Sequence, residues 1–266
     1  MERERPIGVY DSGVGGLTVV KWLRRKLPKE QILYFGDTAR VPYGGRPPEE
    51  IIKFSRQILA FFVEKDVKFV IAACNTSSAL ALPSLIPNAP VPLMGVIGPG
   101  VKKAAVEVKG RRIGVIGTKG TVESRAYTEA LQNVDPDIQV WETACPRLVP
   151  LVENGEWEGR QIETLLTEYL QPLLKHNIDT LILGCTHYPY LMTAIRAVLG
   201  NDIQIVDPGE AAAEEAVLEL DRLGLLTHSK QGSDGFYVSG DPHVFGTIAK
   251  RLGYKADLEV VDINRY

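Results

Sequence analysis

The sequence predicts an α/β protein of two pseudo-symmetric units, each a mostly parallel sheet flanked by helices, with the functional site in the cleft between them. Three observations predict it. Short apolar runs alternate with longer amphipathic stretches along the chain, the pattern of βαβ units. Most of those runs are apolar on successive residues, as in strands covered on both faces. Three motifs recur in the same order at nearly one offset. Ile7-Gly-Val-Tyr-Asp-Ser-Gly13 returns as Ile113-Gly-Val-Ile-Gly-Thr-Lys119, Val41-Pro-Tyr43 as Val149-Pro-Leu151, and Phe69–Thr76 as Thr180–His187. The plainer account of this repeat is that all βα units look alike; the match after each central cysteine, Cys74 and Cys185, favours a true repeat.

In order, the predicted strands are Ile7–Tyr10, Ile32–Phe35, Phe69–Ala73, Leu93–Ile97, Arg112–Ile116, Ile138–Trp141, Thr180–Leu183, Ile203–Val206, Gly235–Val238 and Leu258–Val261. The clearest helix carries Ile162, Leu165, Leu166, Tyr169, Leu170 and Leu173 at i, i+3, i+4, i+7 spacing. Pro172 predicts that it kinks or ends there. Pro87–Pro92 and the turn Gly98-Pro-Gly100 predict a break near residue 98, and Pro208-Gly209 predicts the end of the second unit. The expected units are therefore 1–97 together with 209–266, and 98–208.

The chain has 266 residues, 45% of them hydrophobic and 24% charged, enough to bury a sizeable core and too apolar for disorder. Its net charge of −3 argues against nucleic acid or an anionic membrane surface as partner. No apolar run approaches the ~20 residues of a membrane span, and the charged start Met1–Pro6 does not resemble a leader. Three cysteines are too few, and odd in number, for a disulfide framework. The expected setting is a reducing cytoplasm.

The chemistry-bearing candidates begin with those cysteines. Cys74 and Cys185 each follow a buried-type strand and precede a predicted helix. Ligand sites of open α/β sheets lie beyond the carboxyl ends of strands, and helix N-termini stabilise thiolates and carboxylates. Asn75, Thr76 and Thr186 add donors beside them. A single cysteine in such a place is commonly just a small buried hydrophobe; two at matched positions point to function. Facing each other across a ligand, two thiols suit stereoinversion, one removing a proton from carbon and the other returning one to the opposite face. Cys145 has no repeat partner and is expected to be structural.

Asp11-Ser-Gly-Val-Gly-Gly16 follows a strand and opens a helix, with the acid Asp37 ending the next strand. Thr18 occupies the third glycine position of a dinucleotide fingerprint, so the pattern fails. The alternative is that Asp11 and Ser12 bind a small polar ligand, the carboxylate suiting the ammonium of an amino acid. The loop Val41–Gly45 would present backbone donors and the Tyr43 phenol, or be a plain turn. Gly117–Thr121 lacks P-loop spacing. The four histidines show no zinc spacing with the cysteines; His187 stands out only for lying two residues after Cys185. Glu153 falls in the loop region of the second repeat, where it can face the cleft or be only an exposed acid.

Taken together, Asp11–Gly16, Gly36-Asp-Thr38, Val41-Pro-Tyr-Gly44, Ala73-Cys-Asn-Thr76, Val149–Glu153 and Gly184-Cys-Thr-His-Tyr-Pro189 resemble the cofactor-independent aspartate/glutamate racemase superfamily, and its glutamate racemases most. The resemblance covers nearly the whole chain. It implies an isomerase interconverting L- and D-glutamate, with Cys185 deprotonating the L form and Cys74 the D form. It implies that Asp11, Asp37, Glu153 and His187 assist the thiols. It implies that Asp11, Ser12, Tyr43, Gly44, Asn75, Thr76, Thr186 and His187 bind substrate. His187, where aspartate-specific relatives carry an acid, points to glutamate. The resemblance further implies no pyridoxal phosphate and no metal, a homodimer, and a bacterial role in supplying D-glutamate for peptidoglycan. Three other readings stand beside it: a racemase of aspartate or a hydantoin, a non-catalytic amino-acid-binding module, and a cysteine hydrolase, which leaves one thiol without a task.

Overall fold

A computed structural model describes residues 2–107, 111–229, 232–254 and 257–266; Met1 of the charged start lies outside them. The chain opens with β1 (Ile7–Asp11), α1 (Leu17–Lys26), β2 (Ile32–Gly36), α2 (Pro48–Glu64), β3 (Phe69–Ala72), α3 (Asn75–Leu80), α4 (Leu82–Leu85) and β4 (Leu93–Gly95). It continues with α5 (Ile97–Glu107), β5 (Arg112–Gly117), α6 (Lys119–Glu123), α7 (Ala126–Val134), β6 (Gln139–Ala144), α8 (Leu148–Glu153), α9 (Arg160–Leu174), β7 (Thr180–Gly184), α10 (Met192–Leu199) and β8 (Gln204–Val206). It closes with α11 (Pro208–Arg222), β9 (Gly235–Val238), α12 (Pro242–Arg251) and β10 (Leu258–Val260).

The strands form two sheets, β10-β9-β2-β1-β3-β4 and β6-β5-β7-β8, and every pairing in them is parallel. The inner order β2-β1-β3-β4 is the order β6-β5-β7-β8. The register repeats as well: Ile7 pairs with Phe69, and Ile113 with Thr180, the residues that the sequence repeat aligns. The chain end adds β9 and β10 to the first sheet beside β2.

Burial follows position in the sheet. β1, β2, β3 and β7 are buried at every residue, because neighbours and helices cover them on all sides. The edge strands differ from the expectation of strands covered on both faces. β4 is half-buried throughout and β10 is mostly exposed. Ile162, Leu165, Leu166, Leu170 and Leu173 form the buried stripe of α9. Pro172 falls in its last turn, and the helix ends two residues later.

A second expectation fails at the first crossing. The predicted strand Leu93–Ile97 stops at Gly95, and Gly98-Pro-Gly100 is not a turn but the first turn of α5. A proline there loses no hydrogen bond, since the first N–H groups of a helix have no partner within it. Pro208 likewise opens α11. Gly100 lies against Pro208, with room for no more than a tight Cβ contact at 3.0 Å, so the two chain crossings between the sheets run side by side.

Candidate active site

The sheets meet through the loops at the carboxyl ends of their strands, where open α/β sheets place ligands. β1 delivers Asp11 and Ser12, β3 delivers Cys74, Asn75 and Thr76, and β7 delivers Cys185, Thr186 and His187. All eight are buried. All three cysteines are free thiols.

Cys185 heads a polar chain that crosses the seam. Its Sγ lies 3.6 Å from His187 Nδ1, and His187 Nε2 lies 2.6 Å from Glu153 Oε1. The same carboxylate oxygen accepts from the Val14 N–H at 3.1 Å. Burial works against a charged imidazole, but the Cys185 sulfur and the Glu153 carboxylate outweigh it and hold the His187 pKa well above its ordinary value. Burial likewise opposes the Glu153 charge, and the hydrogen bond and charge of His187 overcome it, so this carboxyl is lowered. The pair therefore sits as imidazolium and carboxylate, with the positive ring against the Cys185 sulfur. Asp11 lies alongside, accepting from the Gly13 N–H at 3.0 Å and from the Thr186 hydroxyl at 3.0 Å. Burial pushes its pKa up, and His187 and these donors pull it back.

This geometry predicts the effect of Glu153→Gln. Without the carboxylate the imidazolium releases its proton at lower pH, so the alkaline limb of the pH–activity profile moves to lower pH. We expect kcat to fall roughly tenfold near pH 8, as for loss of a group that tunes a proton-transfer partner. An unmoved alkaline limb would count against the His187 charge.

Cys74 has a different setting. It precedes α3 in extended conformation. Burial, Asp11 and the Cys185 sulfur push its pKa up to about 12, opposed by the backbone and hydroxyl of Ser77. Each thiol is thus within electrostatic reach of the other. The residues after Cys74 grip the second unit. Asn75 Oδ1 accepts from the Tyr127 hydroxyl at 2.6 Å. Thr76 Oγ1 lies 2.9 Å from Thr118 Oγ1, which lies 3.1 Å from Thr121 Oγ1. The Gly44 carbonyl accepts from the Gly120 N–H at 2.7 Å.

Asp37 is occupied elsewhere. Both its oxygens accept from Arg40 Nε at 3.0 and 2.7 Å, Ser239 donates to it at 2.6 Å, and so does the Tyr43 hydroxyl. Burial first, and then the charge and hydrogen bond of Asp37, hold the Tyr43 phenol well above its ordinary range, with Cys74 a smaller contributor. Cys145 lies in the core of the second unit with its Sγ 3.5 Å from the Thr143 carbonyl. His176 stacks on Trp141 at 4.6 Å, and His228 and His243 are exposed. Among the described residues no group of three or more His, Cys, Asp or Glu side chains could hold a metal ion.

Several seam residues escape a reading of the sequence. Thr118 and Thr121 lie in Gly117–Thr121, which the sequence offered only as a failed P-loop, and Tyr127 and Tyr190, whose hydroxyl donates to the Val14 carbonyl at 3.0 Å, carry no local motif. Only Thr118 had a further signal, as the repeat counterpart of Ser12. The glycines of Asp11–Gly16 also gain a reason. A Cβ on Gly13 would fall 2.1 Å from Glu153 Oε1, and one on Gly15 2.3 Å from Thr186 Oγ1 and 2.6 Å from His187 Nδ1. They are small because the second unit presses on this turn, not because a pyrophosphate does.

Two parallel α/β units that each end a central strand in a reduced thiol, with both thiols buried in one polar seam, define a two-lobed, paired-thiol class of α/β protein. Residues 17–237 match the Asp/Glu/Hydantoin racemase family. A glutamate racemase of Microcystis aeruginosa is 48% identical over 96% of this chain and 90% of its own length. A crystal structure of a glutamate racemase isoform from Bacillus anthracis superposes with a TM-score of 0.94 at 41% identity, covering 98% of both chains. One from Francisella tularensis in complex with D-glutamate gives 0.93 at 37% identity, over 99% of this chain and 100% of that one. The chain belongs to the Asp/Glu/Hydantoin racemase family, and its activity is that of an isomerase. No helix among the described residues is long and apolar enough to cross a membrane.

Proposed function

We propose that this protein is a glutamate racemase working by two thiols. The observation that carries the reading is the matched placement of Cys74 and Cys185 after β3 and β7, in one buried seam lined with hydrogen-bond donors. The glutamate racemase relatives support the substrate. In the L-to-D direction the Cys185 thiolate takes the α-proton, and the Cys74 thiol gives its proton to the opposite face. The reverse direction exchanges the roles. His187, backed by Glu153, holds the Cys185 thiolate; Asp11 faces the substrate ammonium with Ser12. Asn75, Thr76 and Thr186 supply donors for the α-carboxylate, where charge develops as the proton leaves. Tyr43 and Gly44 reach the side-chain carboxylate, and Asp37 acts behind Tyr43.

Residues 1–97 with 209–266 form one domain in this reading and 98–208 the other, with the substrate between them. We place the enzyme in the cytoplasm of a bacterium, where its thiols stay reduced, as a homodimer supplying D-glutamate for peptidoglycan.

The test is racemisation in deuterium oxide. Optical activity of L-glutamate should decay, and early D-glutamate should carry deuterium at Cα while the remaining L-glutamate stays protiated. Equal early labelling of both enantiomers would point to a single base. Faster decay with aspartate would move the substrate, and deuterium in neither amino acid would leave a binding module.

A further inference from the structure

The two thiols are served unequally. Cys185 has a cation beside it. The charged groups that bear on Cys74 are Asp11 from β1 and Cys185 from beyond β7, both of which oppose a thiolate. The phenols of Tyr34 and Tyr43 also lie within its electrostatic reach. If Cys74 is to act as a base, something else must stabilise its anion.

Three hydroxyls are available. Tyr10, Ser55 and Ser77 are fully buried. Tyr10 pairs with Ala72 in the β1–β3 ladder, and Tyr10 and Cys74 share one core cluster under α2. Ser55 comes from α2 and Ser77 from α3. The Tyr10 phenol lies close enough to both serine hydroxyls for each to bear on its ionisation. Even so, Tyr10 Oη, Ser55 Oγ and Ser77 Oγ find no hydrogen-bond partner of full geometry among the described residues. Buried hydroxyls are nearly always paired, and leaving one unpaired is costly. Neighbouring hydroxyls can accept from one another, but a chain of three still leaves its last O–H without an acceptor. Ser78, the next residue, shows the ordinary condition: it donates to the Ala72 carbonyl and accepts from the Val96 N–H. The second unit has no such set, since the counterpart of Tyr10 is Ile116.

We propose that Ser77, backed by Tyr10 and Ser55, forms a donor set for the Cys74 thiolate, which supplies the acceptor that the end of this hydroxyl chain lacks. Ser77 donates to the sulfur, Tyr10 to Ser77, and Ser55 to Tyr10. All three are positioning residues for the proton step at Cys74. The inference rests on the reading of Cys74 as one of the two bases. It makes the enzyme asymmetric: an ion pair tunes one thiol and neutral hydroxyls tune the other.

The test is iodoacetamide labelling of the full-length protein across neutral to alkaline pH, with each cysteine peptide followed by mass spectrometry. Ser77→Ala should slow Cys74 labelling about tenfold at fixed pH, the effect of a one-unit rise in a thiol pKa. Ser77→Thr should restore the rate, and Tyr10→Phe and Ser55→Ala should slow it by less. Cys185 labelling should not change in any of them, and Tyr10→Phe should melt no lower than wild type. A wild-type rate at Cys74 in Ser77→Ala overturns the proposal. So does a joint loss of melting temperature and of selectivity between the two thiols, which would make the hydroxyls merely structural. The two-base reading fails by a different sign, namely racemisation that survives Cys74→Ala, and that result leaves the labelling measurement intact.

Discussion

Cys185→Ala and Cys74→Ala should each reduce glutamate racemisation by roughly a thousandfold or more, the scale on which removal of a positioned proton-transfer group acts. The two losses should be similar even though the thiols have different surroundings. A racemisation passes through both sulfurs in either direction, so neither can stand in for the other: one face of the α-carbon would lack a proton donor or acceptor. The kcat/KM values for the two enantiomers must fall together, because substrate and product are mirror images of equal free energy. Circular dichroism of each purified variant is the measurement. Activity in either within tenfold of wild type would remove that thiol from the mechanism. Cys145→Ala serves as the control and should racemise normally, since that sulfur is turned to the Thr143 carbonyl in the core.

The second large effect lies at the other end of the first sheet. Lys68 and Glu30 form an ion pair at 2.5 Å with side chains 0% and 1% exposed. Glu30 also accepts from the Thr227 N–H at 2.9 Å, and Lys68 donates to the Arg3 carbonyl. The pair thus ties the start of β3 and the entry to β2 to the segment after α11. Lys68→Met leaves a buried carboxylate without its cation, a change that typically costs about 3–5 kcal/mol. Chemical denaturation should register that loss, with racemase kinetics unaltered in the folded fraction. Lys68→Met combined with Glu30→Gln removes both charges and keeps an acceptor for Thr227, so it should recover most of the stability. A single variant as stable as wild type would show that water reaches the pair.

How much of this was legible depends on how local the cause is. β1, β2, β3, β5 and β7 could be read because a strand buried on both faces writes an unbroken apolar run. α9 could be read because its buried stripe keeps helical period. Gly98-Pro-Gly100 misled because glycine and proline usually break structure, whereas at the start of α5 a missing N–H does no harm. Cys74 and Cys185 stood out through the repeat, and the strand register shows why: they follow equivalent strands of two equivalent ladders, β1–β3 and β5–β7. The partners across the seam did not stand out. Nothing near Tyr127 in the sequence says that it meets Asn75, and nothing near Glu153 says that its carboxylate joins His187 to Val14. Those contacts exist only once two units folded by local rules come face to face.

The side-by-side crossings at Gly100 and Pro208 have a mechanical meaning. They leave the sheets from β4 and β8, the outermost strands on one flank, so the covalent links between the halves are gathered along a single edge. Elsewhere the seam is held by polar bonds such as Thr76 to Thr118 and Gly44 to Gly120, and by Trp157, which packs against the core of the first unit with Arg251 over its ring. A body joined covalently along one edge is held at its other edge by non-covalent contacts alone. Cys74 and Cys185, each only 5% exposed, lie where those contacts close over them.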